Sequence, residues 1–115
     1  MKKYIVIVAV LFSGIIFANN EKPKLEAVGN MVKVTYLHEN GKIRQEGFYK
    51  DGKLQGQWVS YDANGNKVAI AEYNKGHKVG KWYFWNNSVL SEVDYSANRI
   101  VSVKNLKQDA IVNAF

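Results

Sequence analysis

The chain has 115 residues, with sixteen Lys and Arg against ten Asp and Glu, a formal charge of +6, and no cysteine. Its length suits one small domain. The missing cysteines exclude disulfides and a lipid anchor carried on an N-terminal cysteine, so the fold must stand on packing alone.

The N-terminus reads as an export signal. Met1-Lys2-Lys3 supplies a positive start, and Tyr4 to Phe17 is an apolar run broken only by Ser13 and Gly14. Ile16-Phe17-Ala18 ends it with a small residue suited to cleavage. From Tyr4 to Ala18 the run spans 15 residues, short of the roughly 18 that a membrane-spanning helix needs. Residues 1–18 are therefore expected to be a cleaved signal peptide and the product to be exported, periplasmic or extracellular. Removing Lys2 and Lys3 lowers the charge from +6 to +4. Residues 19–30 are polar, contain the sole proline, Pro23, and read as a flexible leader.

From residue 31 to 104 the chain reads as β-strands separated by tight turns. Asn40-Gly41, Asp51-Gly52, Asn64-Gly65 and the Asn74-Lys75-Gly76-His77 stretch mark reversals, with Asn-Gly and Asp-Gly favouring type I′ hairpins because both central residues need positive φ. Strands are expected near residues 31–37, 42–50, 55–61, 67–74, 79–85, 89–95 and 99–104. Turn signals recur about every 8–12 residues, the spacing of an all-β fold. The tail, residues 105–115, reads as a C-terminal tail or a short capping helix, with Asn105 as N-cap and Gln108 three residues on.

The strands repeat. Asn40-Gly41 recurs as Asn64-Gly65, Tyr49 as Tyr73, Gly52 as Gly76, Gly56 as Gly80, Trp58 as Trp82 and Tyr61 as Trp85, each 24 positions later. Two copies of one supersecondary unit follow, about residues 38–61 and 62–85, with a degenerate third over 86–97 that lacks the glycines. In a strand, residues two apart share a face. Gly47 and Tyr49, Gly56 and Trp58, Ala71 and Tyr73, Gly80 and Trp82 thus pair a small residue with a ring. Each ring is expected to cover the small position of its neighbour and build an aromatic ladder. The positions Gly41, Tyr49, Gly52, Gly56, Trp58, Gly65, Tyr73, Gly76, Gly80 and Trp82 are on this reading structural.

The run Glu46-Gly47-Phe48-Tyr49-Lys50-Asp51-Gly52-Lys53-Leu54-Gln55-Gly56-Gln57-Trp58, with its second copy from Glu72 to Trp82, resembles the variant MORN repeat of bacteria, of the kind found in YwqK-family antitoxins. The resemblance covers about residues 34–85. It implies an antiparallel array of β-hairpins forming a single curved sheet, a scaffold or interaction role and no catalytic residue.

Residues 82–85 are consecutive aromatics, so Trp82 and Phe84 face one way and Tyr83 and Trp85 the other. One face cannot bury both pairs. Tyr61, Tyr83 and Trp85, flanked by Lys42, Lys67 and Lys81, are expected to form an exposed aromatic and basic patch of the kind that marks interaction sites. Lysines at turns also guard sheet edges against aggregation.

Catalysis finds no support. His38 and His77 fall at different places in the repeat and both lie in turns. No metal set can be completed from them without cysteine or clustered carboxylates, and no Gly-rich loop precedes a helix. No cofactor is expected.

The sequence therefore points to an exported, non-catalytic β-repeat module that binds a protein through one sheet face. Binding of a cell-envelope glycan or anionic lipid is the alternative, and an antitoxin- or immunity-like role a second. Export argues against nucleic acid, and an unclosed sheet edge leaves self-association open.

Overall fold

The structure, a computed structural model, describes residues 22–86 and 89–106. The expected signal peptide, and the tail beyond Leu106, lie outside the described residues.

Among the described residues every regular element is a strand: β1 (Lys24–Val28), β2 (Met31–Leu37), β3 (Ile43–Lys50), β4 (Lys53–Tyr61), β5 (Lys67–Asn74), β6 (His77–Lys78), β7 (Gly80–Asn86), β8 (Val89–Ser96) and β9 (Arg99–Leu106). They form one open antiparallel sheet in the order β1-β2-β3-β4-β5-β7-β8-β9, with β6 also on β5. The expected all-β meander is the observed fold. Two segments differ from expectation. Lys24–Val28, placed in the flexible leader, pairs with β2 along its whole length, and Asn105 and Leu106, placed in the C-terminal tail or capping helix, continue β9 opposite Ser91 and Leu90.

Two turn types alternate. Asp51 and Gly52 have φ of 51° and 77°, and Lys75 and Gly76 have 52° and 83°, the two positive values of a type I′ hairpin. At Asn40-Gly41 and Asn64-Gly65 only the glycine has positive φ, so these are not the type I′ turns expected. His38 N donates to Lys42 O and Gly41 N to His38 O. Asp62, Gly65 and Asn66 repeat the pattern, which is a three-residue loop with a left-handed glycine. Side chains select this form: Asn40 Oδ1 accepts from Lys42 N at 3.0 Å, and Asp62 Oδ1 from Asn64 N and Asn66 N at 2.9 and 3.0 Å.

We call the face carrying Val34, Trp58 and Trp82 the inner face. Val34, Trp58, Ala71, Tyr73, Trp82, Val93 and Tyr95 form the core there, with Tyr36, Tyr49, Leu54, Phe84, Ile100 and Val103 packed around them. Trp58 lies over Gly47, where a Cβ would fall within its ring. Its Nε1 donates to Phe48 O at 3.1 Å, and Tyr49 meets it edge-on at 5.4 Å. Twenty-four residues on, Trp82 Nε1 donates to Glu72 O at 3.1 Å and Tyr73 meets that ring at 5.2 Å. The aromatic ladder is real, but its small positions are Gly47 and Ala71 rather than all four.

Gly56 and Gly80 do another job. From Glu46 to Phe48 β3 advances two residues, while β4 covers four, from Val59 to Gln55. Gly56, at φ 74°, sits in that bulge, and Gly80, at φ 68°, sits in the matching one that separates β6 from β7. Nothing lies within 4 Å of a Cβ built on Gly56, so no ring covers it.

The third copy is present in space with a spacing of 22. Tyr95 packs against Trp82 at 4.9 Å, Ala97 and Asn98 take both positive φ values of the turn, and β9 plays the part of β4. Val103 stands opposite Val93 where a tryptophan would stand in the earlier copies.

Candidate interaction surface

Strand alternation places Gln57, Val59 and Tyr61 of β4, Ile70 and Glu72 of β5, and Lys81, Tyr83 and Trp85 of β7 on the outer face. The register sets Tyr61 opposite Lys67 and Ile70 opposite both Val59 and Tyr83. A depression of about 400 Å³ opens there, lined by Gln57, Lys67, Ile70, Glu72, Lys81 and Tyr83, with Ala71 in its floor. Lys67, Lys81 and Tyr83, three of the six residues expected to form the patch, thus meet around one site.

The other three are placed differently. Tyr61 and Trp85 lie on the same face but do not line the depression. Lys42 sits at the turn end, its Nζ 3.5 Å from Asn64 O. Tyr61, Tyr83 and Trp85 are half-buried rather than exposed, because the outer face has apolar packing of its own, including buried Ile70 and Leu90. Burial, and then the charge and hydrogen bonding of Glu46, raise the pKa of Tyr61. Burial followed by Glu92 does the same at Tyr83, with Asp94 adding to it. Each hydroxyl thus sits beside a carboxylate, Tyr61 by Glu46 and Tyr83 by Glu92. Lys67 and Lys81 are exposed.

The histidines act as clips between turns. His38 Nε2 lies 2.9 Å from Tyr61 O, while Asn98 Nδ2 donates to His77 Nδ1 at 2.8 Å. Among the described residues no three His, Asp or Glu side chains gather as a metal set would.

Sequence reading missed one cation on the inner face. Lys78 stands in the position held by Leu54 and Ile100 in the other copies, and its Nζ lies 5.5 Å from the Trp82 ring and 5.4 Å from that of Tyr95. Burial lowers its pKa. The signal was available: a lysine falls where the repeat calls for an aliphatic residue.

Comparison with known families agrees with this geometry. Residues 32–51 and 54–75 match the family model described as the MORN repeat variant. The first match spans β2 and β3 and ends at Asp51, and the second spans β4 and β5 and ends at Lys75, so each covers one pair of adjacent strands. No curated protein matches the chain. This chain is similar to that repeat over residues 32–51 and 54–75.

Proposed function

We propose that the protein is an exported, non-catalytic repeat module that binds a protein partner through the outer face of β4, β5 and β7. The observation that carries this reading is the depression between Lys67 and Lys81, with Ile70 below and the Tyr83 ring at its side. A floor carrying Ile70, a rim of two lysines against the one carboxylate of Glu72, and the Tyr83 ring suit a partner that offers an acidic and apolar surface. The Met1 to Ala18 stretch supports export.

The test has two parts. The full chain, expressed in a bacterial host and fractionated, is expected to yield an exported product whose mass begins at Asn19. Retention of the intact precursor in the cytoplasm would overturn export. A Lys67→Glu, Lys81→Glu double variant with an unchanged melting curve is expected to lose a partner that the wild type captures from envelope fractions. Binding instead to phosphatidylglycerol vesicles or purified envelope glycan, fading as the Debye length shortens below about 8 Å, would favour the glycan or anionic-lipid reading. An antitoxin-like role, suggested by the resemblance, is the same mode of binding with a toxin as partner.

A further inference from the structure

The inner face holds buried polar atoms that the fold itself does not satisfy. Arg44 Nε and Nη2, Ser60 Oγ and the Tyr95 hydroxyl are buried without a hydrogen-bond partner. Two of these residues lie one register position apart. Ser60 stands opposite Gln45 in the β3–β4 register, next to Arg44, and Gln45 and Ser60 are each only 1 % exposed.

A bulge brings Arg44 there. Tyr36 pairs with Gln45 but Leu37 with Ile43, so Arg44 is the extra residue of β3 and departs from strict alternation. Its guanidinium carbon lies 6.0 Å from the Tyr36 ring, and Tyr36 packs against the core. The nearest acid in sequence is engaged on the other face: Glu46 meets Lys33 at 3.8 Å and accepts from Tyr61. Arg44 as a whole is half-exposed, like Lys33 and Lys78. It differs in that its Nε and Nη2 are covered by the protein without an acceptor among the described residues.

Those two nitrogens are the side-on fork of the guanidinium, the edge that presents two parallel N–H bonds to a planar pair of oxygens. Covered N–H groups without an acceptor cost stability that a matched anion restores. We propose that Arg44, with the Ser60 hydroxyl as a third donor, is a binding site for a carboxylate group on the inner face. It is separate from the outer depression and independent of the function proposed above. A carboxylate fits better than a spherical anion because only a planar two-oxygen acceptor engages both fork N–H groups at once. Tyr36 supplies an aromatic wall beside it.

The test uses the full chain and two probes. One is sodium acetate titrated against sodium chloride at matched ionic strength, and the other a short peptide carrying one Glu beside its Gln counterpart. The readouts are the Arg44 Nε–H resonance and the melting temperature. Acetate or the Glu peptide is expected to shift the resonance saturably and raise the melting temperature, where chloride and the Gln peptide do not. Arg44→Lys keeps the charge and loses the fork, so it is expected to weaken the response about tenfold or more. Ser60→Ala keeps the packing and is expected to weaken it less. If Arg44→Lys does not fold, Ser60→Ala alone decides. Response to acetate but not peptide identifies a free carboxylate as ligand, and the reverse identifies a side chain on a partner. A wild type that responds to neither probe beyond its control, or variants that respond as the wild type does, would overturn the site.

Discussion

The first and second repeat units solve one packing problem with different pairs of residues. In the first, Trp58 lies flat over Gly47. In the second, Trp82 faces Ala71, and the added methyl means its ring cannot lie as Trp58 does. Trp82 instead reaches a second acceptor, Val79 O, at 3.1 Å, and gathers Tyr73, Phe84 and Tyr95 around it. The third unit continues the trend, with Val93 opposite Val103. As the small member grows from Gly to Ala to Val, the large member shrinks from Trp to Val, so the volume filled across each strand pair is roughly kept. A repeat needs conserved volume at the contact more than conserved letters, as expected of interiors packed at crystal-like density.

Removing the rings is the hardest way to break this comparison. Trp58→Ala and Trp82→Ala are each expected to cost about 3–5 kcal/mol, as large aromatic deletions do in cores. Trp82→Ala should cost the more because that ring is fully buried and serves two units at once. Urea unfolding of both variants measures this, and wild-type-like midpoints would show that the ladder is not structural.

Alkaline unfolding tests the second unit by another route. Burial, then the neighbouring Tyr95 and Tyr49, push the Tyr73 pKa up to about 12. The folded state keeps the phenol neutral after the unfolded chain begins to ionise near the ordinary tyrosine value of 10.0. The stabilisation is therefore complete below pH 10 and is lost as pH rises toward 12, by on the order of 2–3 kcal/mol. Tyr73→Phe should flatten that limb of the stability curve, and Tyr49→Phe should flatten it less. Equal effects would erase the distinction between the units.

Exchanging the small residues sharpens the comparison. Gly47→Ala drives a methyl into the Trp58 ring and is expected to cost about 1–3 kcal/mol by overpacking. Ala71→Gly only removes a methyl from a strand and should cost about 1 kcal/mol. Thermal melts of the two variants should differ in that order.

The smallest effect expected is in the turns. Hydrogen bonds from Asn66 and Asn64 hold the Asp62 pKa below its usual range. Its contribution is present above about pH 4 and fades as pH falls through the lowered value. Amide exchange in the 62–66 turn should rise as pH falls through that lowered value, and by more than in the 38–42 turn, whose Asn40 anchor is uncharged.

Much of the architecture was legible. Residues 31–37 and 67–74 are strands with the expected bounds, because alternation and turn residues agree there. The leader strand β1 was not legible: all five of its residues are exposed, so no hydrophobic pattern marks it and only pairing with β2 makes it a strand. The candidate face was half legible. Alternation put Tyr61, Tyr83 and Trp85 together, but their distance from water depends on Ile70, Leu90 and the acidic side chains beside them. Arg44 carried no signal in the sequence, because a bulge that reorients a single residue leaves no periodic trace.

By itself the sequence determined the element type, the 24-residue step and the rings that fill the inner face, since these rest on local rules: backbone preference at turns and two-residue alternation in strands. The tertiary structure decided which glycine lies under a ring and which makes a bulge, that the third copy persists on a 22-residue step, and which polar groups are buried without a partner. Those outcomes depend on register between strands, a property of pairs of segments that neither segment carries alone.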